Sequence, residues 1–551
     1  MIRTALALGA LLLASAANAV TIVENINGIQ VGPDGKLQHF GSFVIGDDGR
    51  VTQVMANPTP RMKRFDHMIN GEGRTVLPGL IDAHGHVSEL GFAALSLDVT
   101  GTRSIGEMQQ RLRDYAAAHP EARWIVGRGW NQELWSEKRF PTAADLDAAV
   151  SDRPVVLERV DGHAVVANSA AMKAAGVTPA TPAPHGGEIH DGLFVDNAMD
   201  LVNKAIPVPT PAEQDQALAK AQEILLGYGI TGVGAMSTSI ASWDAMRRAG
   251  EAGTLNLRLM AYLDDVKSMA TVPHPTSWLY GDRLRAVGIK LYADGALGSR
   301  GAWLKQPYAD RPDTRGLQFH SDAEMLKLAD TAASAGFQVA THAIGDAANA
   351  QIITVYEQLS KKYGRDRRWR IEHFQIVDPV DIPRLAPAGI IASMQPTHQT
   401  SDRLMAEARL GPNRLAGAYA WQTVLKSGAR LAFGSDFPVE SPNPFPGLAA
   451  GISRQDMSGQ PPGGWIPAER LSLAQDLDAF TRGAAYAGFA EDKFGSLEPG
   501  KYADFIVVDR DPTKVDPISL GNTQVLETWV GGKKVWERPT TVPAAPTERG
   551  K

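Results

Sequence analysis

The chain has 551 residues, 44% of them hydrophobic and 21% charged, a balance that excludes a disordered or fibrous protein and allows a large core. Lys and Arg number 55 against 61 Asp and Glu, a net charge of −6, and nucleic acid is set aside as a partner because phosphate recognition needs a broad positive face. Cysteine is absent, so no disulfide forms and any metal must be held by His, Asp, Glu or a modified Lys.

The chain opens with MIRTALALGALLLASAANA, in which Arg3 precedes an apolar stretch and Ala17-Asn18-Ala19 forms an A-x-A-like cleavage site. This pattern predicts a signal peptide over 1–19 and an exported protein, periplasmic or secreted, cleaved near Ala19. No other run approaches the roughly 20 apolar residues of a membrane span.

Residues 20–75 contain alternating runs with Asp-Gly turns, SFVIGDDGRVTQVM being the clearest, and read as hairpins. GKYADFIVVDRDP and TQVLETWVGGKKVWE, near the other end, have the same character. The two ends are expected to meet in one small β-sandwich domain, with 20–75 as its N-terminal part and 491–538 as its C-terminal part. The tail, 539–551, is expected to be disordered.

Between them, over 76–490, apolar strand-like segments alternate with helical patterns. Strands are expected at 75–84, 229–236, 257–263, 288–295, 336–342, 369–374, 389–396 and 429–436. Eight is the number that closes a (β/α)8 barrel. DAEMLKLADTAASA, DAANAQIITVYEQLSKKY and LAQDLDAFTRGAAYAGF supply helices. A doubly wound open sheet competes, but no glycine-rich dinucleotide fingerprint follows the first strand. The first two strands are far apart, so an insertion of about 100–210 is expected. The fold class is thus α/β: a TIM-like (β/α)8 barrel with a small β-sandwich built from both termini and a large insertion after strand 1.

Barrel enzymes place chemistry at the C-terminal ends of their strands. The first expected strand ends in DAHGHV, where His84 and His86 are two apart and share a face. The fifth ends at His342, the sixth at His373 and the eighth at Asp436. Each alone has a structural explanation as a hydrogen-bonded core histidine or a cap; together they describe a metal-ligand set. On the fourth, alternation puts Lys290, Tyr292 and Asp294 on one face. Lys290 is there either as a buried ion pair with Asp294 or as a chemically altered ligand.

The motifs VLPGLIDAHGH, GRGWNQELW, DGHAVVANSAAM, GGEIHDG, GIKLYADGALGSR, THAIGD, IEHFQ, GSDFPV and LEPGKYADFIVVD resemble the amidohydrolase superfamily, in its amidohydrolase-family-3 branch, across nearly the whole chain. The resemblance implies the barrel with a split β-sandwich and one or two divalent ions. It makes His84, His86, Lys290, His342, His373 and Asp436 the metal ligands, Lys290 a carboxylatable bridge, and Asp436 the acid that orients the attacking water. The chain departs from the branch at Ala235 and Met236, where relatives often carry an acid, and at Asn131, where they often read GWD.

The expected reaction is hydrolysis of an amide-type C–N bond in an N-acyl, formamide or cyclic amide substrate. Metal-bound hydroxide attacks and Asp436 acts as general acid and base, with zinc as the first choice of ion. Trp130, His163, Asp294, Arg300, Gln395 and His398 are the candidates to line the substrate, a small molecule. An esterase or lactonase, a non-catalytic exported metal- or ligand-binding protein, and a lyase or isomerase remain as alternatives, and a homodimer is left open.

Overall fold

A computed structural model describes residues 20–56, 65–159, 162, 164–184 and 187–539. The expected signal peptide at 1–19, the expected tail apart from Pro539, and His163 lie outside them. The chain divides into two compact units, one holding the residues up to Gly85, Ile224–Ser237 and everything from Gly253, the other His86–Glu223 and Thr238–Ala252.

The first unit contains an eight-stranded parallel sheet that closes almost completely. Its strands are β1 (Leu80–Gly85), β2 (Ile230–Thr238), β3 (Arg258–Leu263), β4 (Leu284–Tyr292), β5 (Gln338–Ala343), β6 (Arg370–His373), β7 (Ile391–Met394) and β8 (Arg430–Phe433), hydrogen-bonded in the order β8-β7-β6-β5-β4-β3-β2-β1. Every residue of RLMAYL in β3 is buried, the continuous apolar run expected where helices cover a parallel sheet. Helices Asp322–Ser334 and Asp346–Tyr363 follow β4 and β5; the first begins at a Ser321–Glu324 capping box. The seam between β8 and β1 is joined beyond β8, where the Asp436 N–H donates to His84 O at 2.8 Å.

Several boundaries differ from the expected ones. The expected first strand, 75–84, is broken at Gly79: Thr75–Pro78 joins the terminal sheet and only Leu80–Gly85 enters the barrel. A side chain at Gly79 would stand 2.3 Å from Thr231 Oγ1, so the crossing between the two sheets needs a glycine. The expected helix over LAQDLDAFTRGAAYAGF is likewise two helices, Leu473–Ala479 and Arg482–Ala487, because Phe480 O turns away to accept from Ile81 N–H at 2.7 Å.

Strands from both termini form a second eight-stranded sheet, in which Phe505–Val508 lies antiparallel to Thr75–Pro78. Phe43, Phe505, Val76 and Leu497 share its core. Arg258, at the start of β3, makes a buried pair with Asp504 in two contacts of 2.5 and 2.8 Å, tying this sheet to the entry end of the barrel. The opposite end, where the strands finish, carries the candidate site.

The second unit has its own six-stranded sheet, ordered Gly187–His190, Leu193–Asp196, Ala164–Ala167, Val155–Arg159, Ile125–Trp130, Leu97–Asp98. Among the described residues, no helix is long and apolar enough to cross a membrane.

Candidate metal centre

The exit ends of β1, β4, β5, β6 and β8 bring His84, Lys290, His342, His373 and Asp436 into one buried cluster. The ring centroids of His84 and His373 are 4.8 Å apart, and those of His342 and His373 4.5 Å. His84 Nε2 lies 3.3 Å from both Lys290 Nζ and Asp436 Oδ1. Two of these side chains reach the cluster through unusual backbone. His373, the last residue of β6, has φ +73°, and Asp436, three residues beyond β8, has φ +61°, left-handed conformations that cost energy in non-glycine residues. Gly434 permits the approach of β8, since a side chain there would meet Asp82 Oδ1 and His84 N, each at 2.5 Å.

Burial sets the electrostatics. It lowers the basicity of His84 and, more strongly, of His373, and takes His342 down to about 3, with the charge of Lys290 acting in the same direction on all three. The imidazoles are therefore neutral near pH 7. Burial also brings Lys290 down to about 8. Glu372 is the exception: burial alone would raise it, but the Arg370 guanidinium and the hydrogen bond from His84 hold its carboxyl well below the usual range.

The donor set fits a divalent ion. His342 Nε2 is buried without a hydrogen bond among the described residues, its nearest carboxylate oxygen being Asp294 Oδ1 at 3.5 Å. His398 Nε2 is also buried without one and lies 3.8 Å from Asp436 Oδ2. His373, His398 and Asp436 offer ligand atoms within 4.8 Å of one another. Neutral imidazole lone pairs around a carboxylate leave polar groups unsatisfied unless a cation joins them. His86 stands one residue beyond β1 as the N-cap of helix Val87–Leu95.

The expected substrate-lining residues are placed less uniformly. Gln395 and His398 follow β7; Gln395 Oε1 lies 3.0 Å from His373 Nδ1, and the His398 ring stacks on His373 at 6.0 Å. Asp294 is not on β4, which ends at Tyr292, so strand alternation does not reach it. Its buried carboxylate, raised to about 7 by desolvation, accepts the backbone N–H groups of Trp303, Ile344 and Gly345. It therefore forms no ion pair with Lys290 and anchors a loop. Arg300 pairs with Asp310 at 2.8 and 3.3 Å. Trp130 is wholly buried in the second unit's core, its indole N–H donating to Leu157 O at 2.8 Å, and is packing in that unit rather than a substrate wall.

Three buried residues were absent from the expected set. Asp82 accepts from the Ser435 backbone and hydroxyl, and Glu372 and Arg370 stand behind His84. The signal for the last pair is legible in RIEH, where Arg370 and Glu372 occupy alternate positions of an otherwise buried strand and so share a face.

Known proteins resemble this chain over most of its length. A model described as "Amidohydrolase family" matches residues 67–536. YtcJ of Bacillus subtilis (strain 168) is 32% identical over 485 residues, covering 85% of this chain and 90% of its own. N-substituted formamide deformylase of Arthrobacter pascens is 28% identical over 516 residues, covering 89% and 93%. The crystal structure of an uncharacterized metal-dependent hydrolase from Pyrococcus horikoshii OT3 superposes with a TM-score of 0.77 at 27% identity, over 90% of this chain and 99% of that one.

Proposed function

The chain belongs to the amidohydrolase family, and from that premise we propose that this hydrolase cleaves an amide-type C–N bond in an N-acyl, formamide or cyclic amide substrate, with a divalent ion as cofactor. The ligands we assign are His84, His86, Lys290, His342, His373 and Asp436, with zinc the favoured ion. The supporting observation is the buried, unbonded Nε2 of His342, whose ring lies 4.5 Å from that of His373 in the same cluster.

A divalent ion bound here supplies a Lewis acid for the substrate carbonyl and makes water acidic enough to react near neutral pH. The chain's own residues supply the proton path. Asp436, its backbone fixed by the hydrogen bond to His84 O, takes the proton of the attacking water and delivers it to the departing nitrogen. Gln395 and His398, at the end of β7, orient the substrate beside it. Lys290, whose ammonium form is disfavoured by burial, would add oxygen ligands to the set if its amine were carboxylated. The leader at 1–19 assigns the protein to export.

The test is turnover of formamides, N-acyl amino acids, cyclic amides and the matching esters in ¹⁸O-labelled water. One solvent oxygen should enter the acid product, with amine released. Asp436→Asn, compared with wild type at saturating metal, should lose about 10²- to 10⁴-fold in turnover. Product without label, or an unchanged rate in the variant, overturns the assignment.

A further inference from the structure

Behind His84, away from the metal ligands' common focus, stands a buried polar assembly with no step in the reaction just described. Glu372 Oε2 lies 2.6 Å from His84 Nδ1, and both side chains are fully buried. Arg370 donates to Glu372 Oε1 at 2.7 Å through Nε and to Oε2 at 3.1 Å through Nη2. The same guanidinium donates to Ala83 O and Tyr262 Oη, each at 2.7 Å, and to Ser393 Oγ at 2.9 Å. Tyr262 in turn donates to Gln338 Oε1 at 2.7 Å. One arginine thus fastens β6 to β1, β3 and β7, and through Tyr262 to β5.

We propose that Glu372, locked by Arg370, is a positioning residue for His84: it holds the imidazole as the Nδ1–H tautomer and aims the Nε2 lone pair at the bound ion. A carboxylate only accepts, so the shared proton belongs to Nδ1 and the opposite nitrogen is left as a ligand. The carboxylate cannot swing away, because its other oxygen is held by a guanidinium that three further groups keep in place. Here Oε2 lies nearer to His84 than to the guanidinium. Gln395 bears the same relation to His373 Nδ1 at 3.0 Å with a neutral amide, a weaker version of the same device.

This inference rests on the metal-hydrolase reading and deepens it. Zinc affinity, measured by competition with a chromogenic chelator, and the visible spectrum of the cobalt-loaded protein test it without reference to turnover. Glu372→Gln should weaken zinc about 10- to 100-fold and shift the cobalt bands. In a His84→Asn background the same substitution should change affinity less than about twofold, since its target is gone. Glu372→Asp keeps the charge opposite Arg370 but withdraws the carboxylate by roughly 1.5 Å, so it too should bind zinc more weakly if the Gln variant fails to fold. Wild-type affinity in either folded variant, or an undiminished penalty in the His84→Asn background, overturns the proposal. Wild-type protein that binds no divalent ion at all sinks the hydrolase reading together with it, which separates the two failures.

Discussion

Asp82 and Ser435 are joined across the barrel seam. Ser435 Oγ donates to Asp82 Oδ2 at 2.7 Å, and the Ser435 N–H lies 3.0 and 3.2 Å from the two carboxylate oxygens. Asp82 Oδ1 also accepts the His84 N–H at 3.0 Å. The residues that follow this link are His84 on one side and Asp436 on the other, so it sets the spacing between two of the proposed ligands.

Ser435→Ala removes one donor from a buried carboxylate that burial already pushes up to about 7. The expected cost is about 1–3 kcal/mol of stability, read as a lower urea midpoint at unchanged m-value, together with weaker metal binding. A midpoint equal to wild type means that the hydroxyl is not part of the seam.

Stripping metal with a chelator should abolish turnover, and zinc should restore it. Zinc should also raise the unfolding free energy, by about 2.7 kcal/mol at a free concentration one hundred times the dissociation constant. Calorimetry across a zinc series checks this, and a melting temperature independent of zinc contradicts it.

Asp476, in helix Leu473–Ala479, has both carboxylate oxygens buried without a hydrogen-bond partner among the described residues, and burial raises its pKa well above 3.8. A raised folded-state pKa means that the native protein holds a proton which the unfolded chain releases. That contribution is fully present below pH 3.8 and lost as pH rises. Relative to Asp476→Asn, wild-type stability should therefore fall by about 1.4 kcal/mol per pH unit from about pH 4 upward until the native group ionises. Parallel denaturant curves at pH 5 and 7 decide it: an equal gap between the two proteins at both values refutes a protonated Asp476.

Arg300 is occupied by Asp310, which Arg409 also contacts. Arg300→Ala should leave kcat/KM for carboxylate-bearing substrates within about threefold of wild type and change stability little, as loss of an exposed pair does. A selective rise in KM for such substrates restores the role that its motif implies.

How much of this was legible beforehand varies by residue. That His84, His342, His373 and Asp436 lie together was legible because strand-like runs ending in a ligand type recur, and the exit end of a barrel collects them. Asp294 was misplaced because alternation was carried past Tyr292, where the strand stops. Trp130 lies in a motif that resembles the family's, yet motif position does not say which way a ring points. The break at Gly79 was hidden because one apolar run serves two sheets in succession.

By itself the sequence determined the local and additive properties: eight buried strands, the helices between them, β-rich ends that pair, and a cysteine-free, nitrogen-and-oxygen ligand set. Hydropathy period and turn chemistry act between residues a few positions apart, so they are written along the chain. Tertiary structure alone decided that Glu372 meets His84 288 positions away, that Asp82 meets Ser435 353 positions away, and that Arg300 is spent on Asp310. Those pairings depend on barrel closure and on backbone turned left-handed at His373 and Asp436, which no nearest-neighbour pattern encodes.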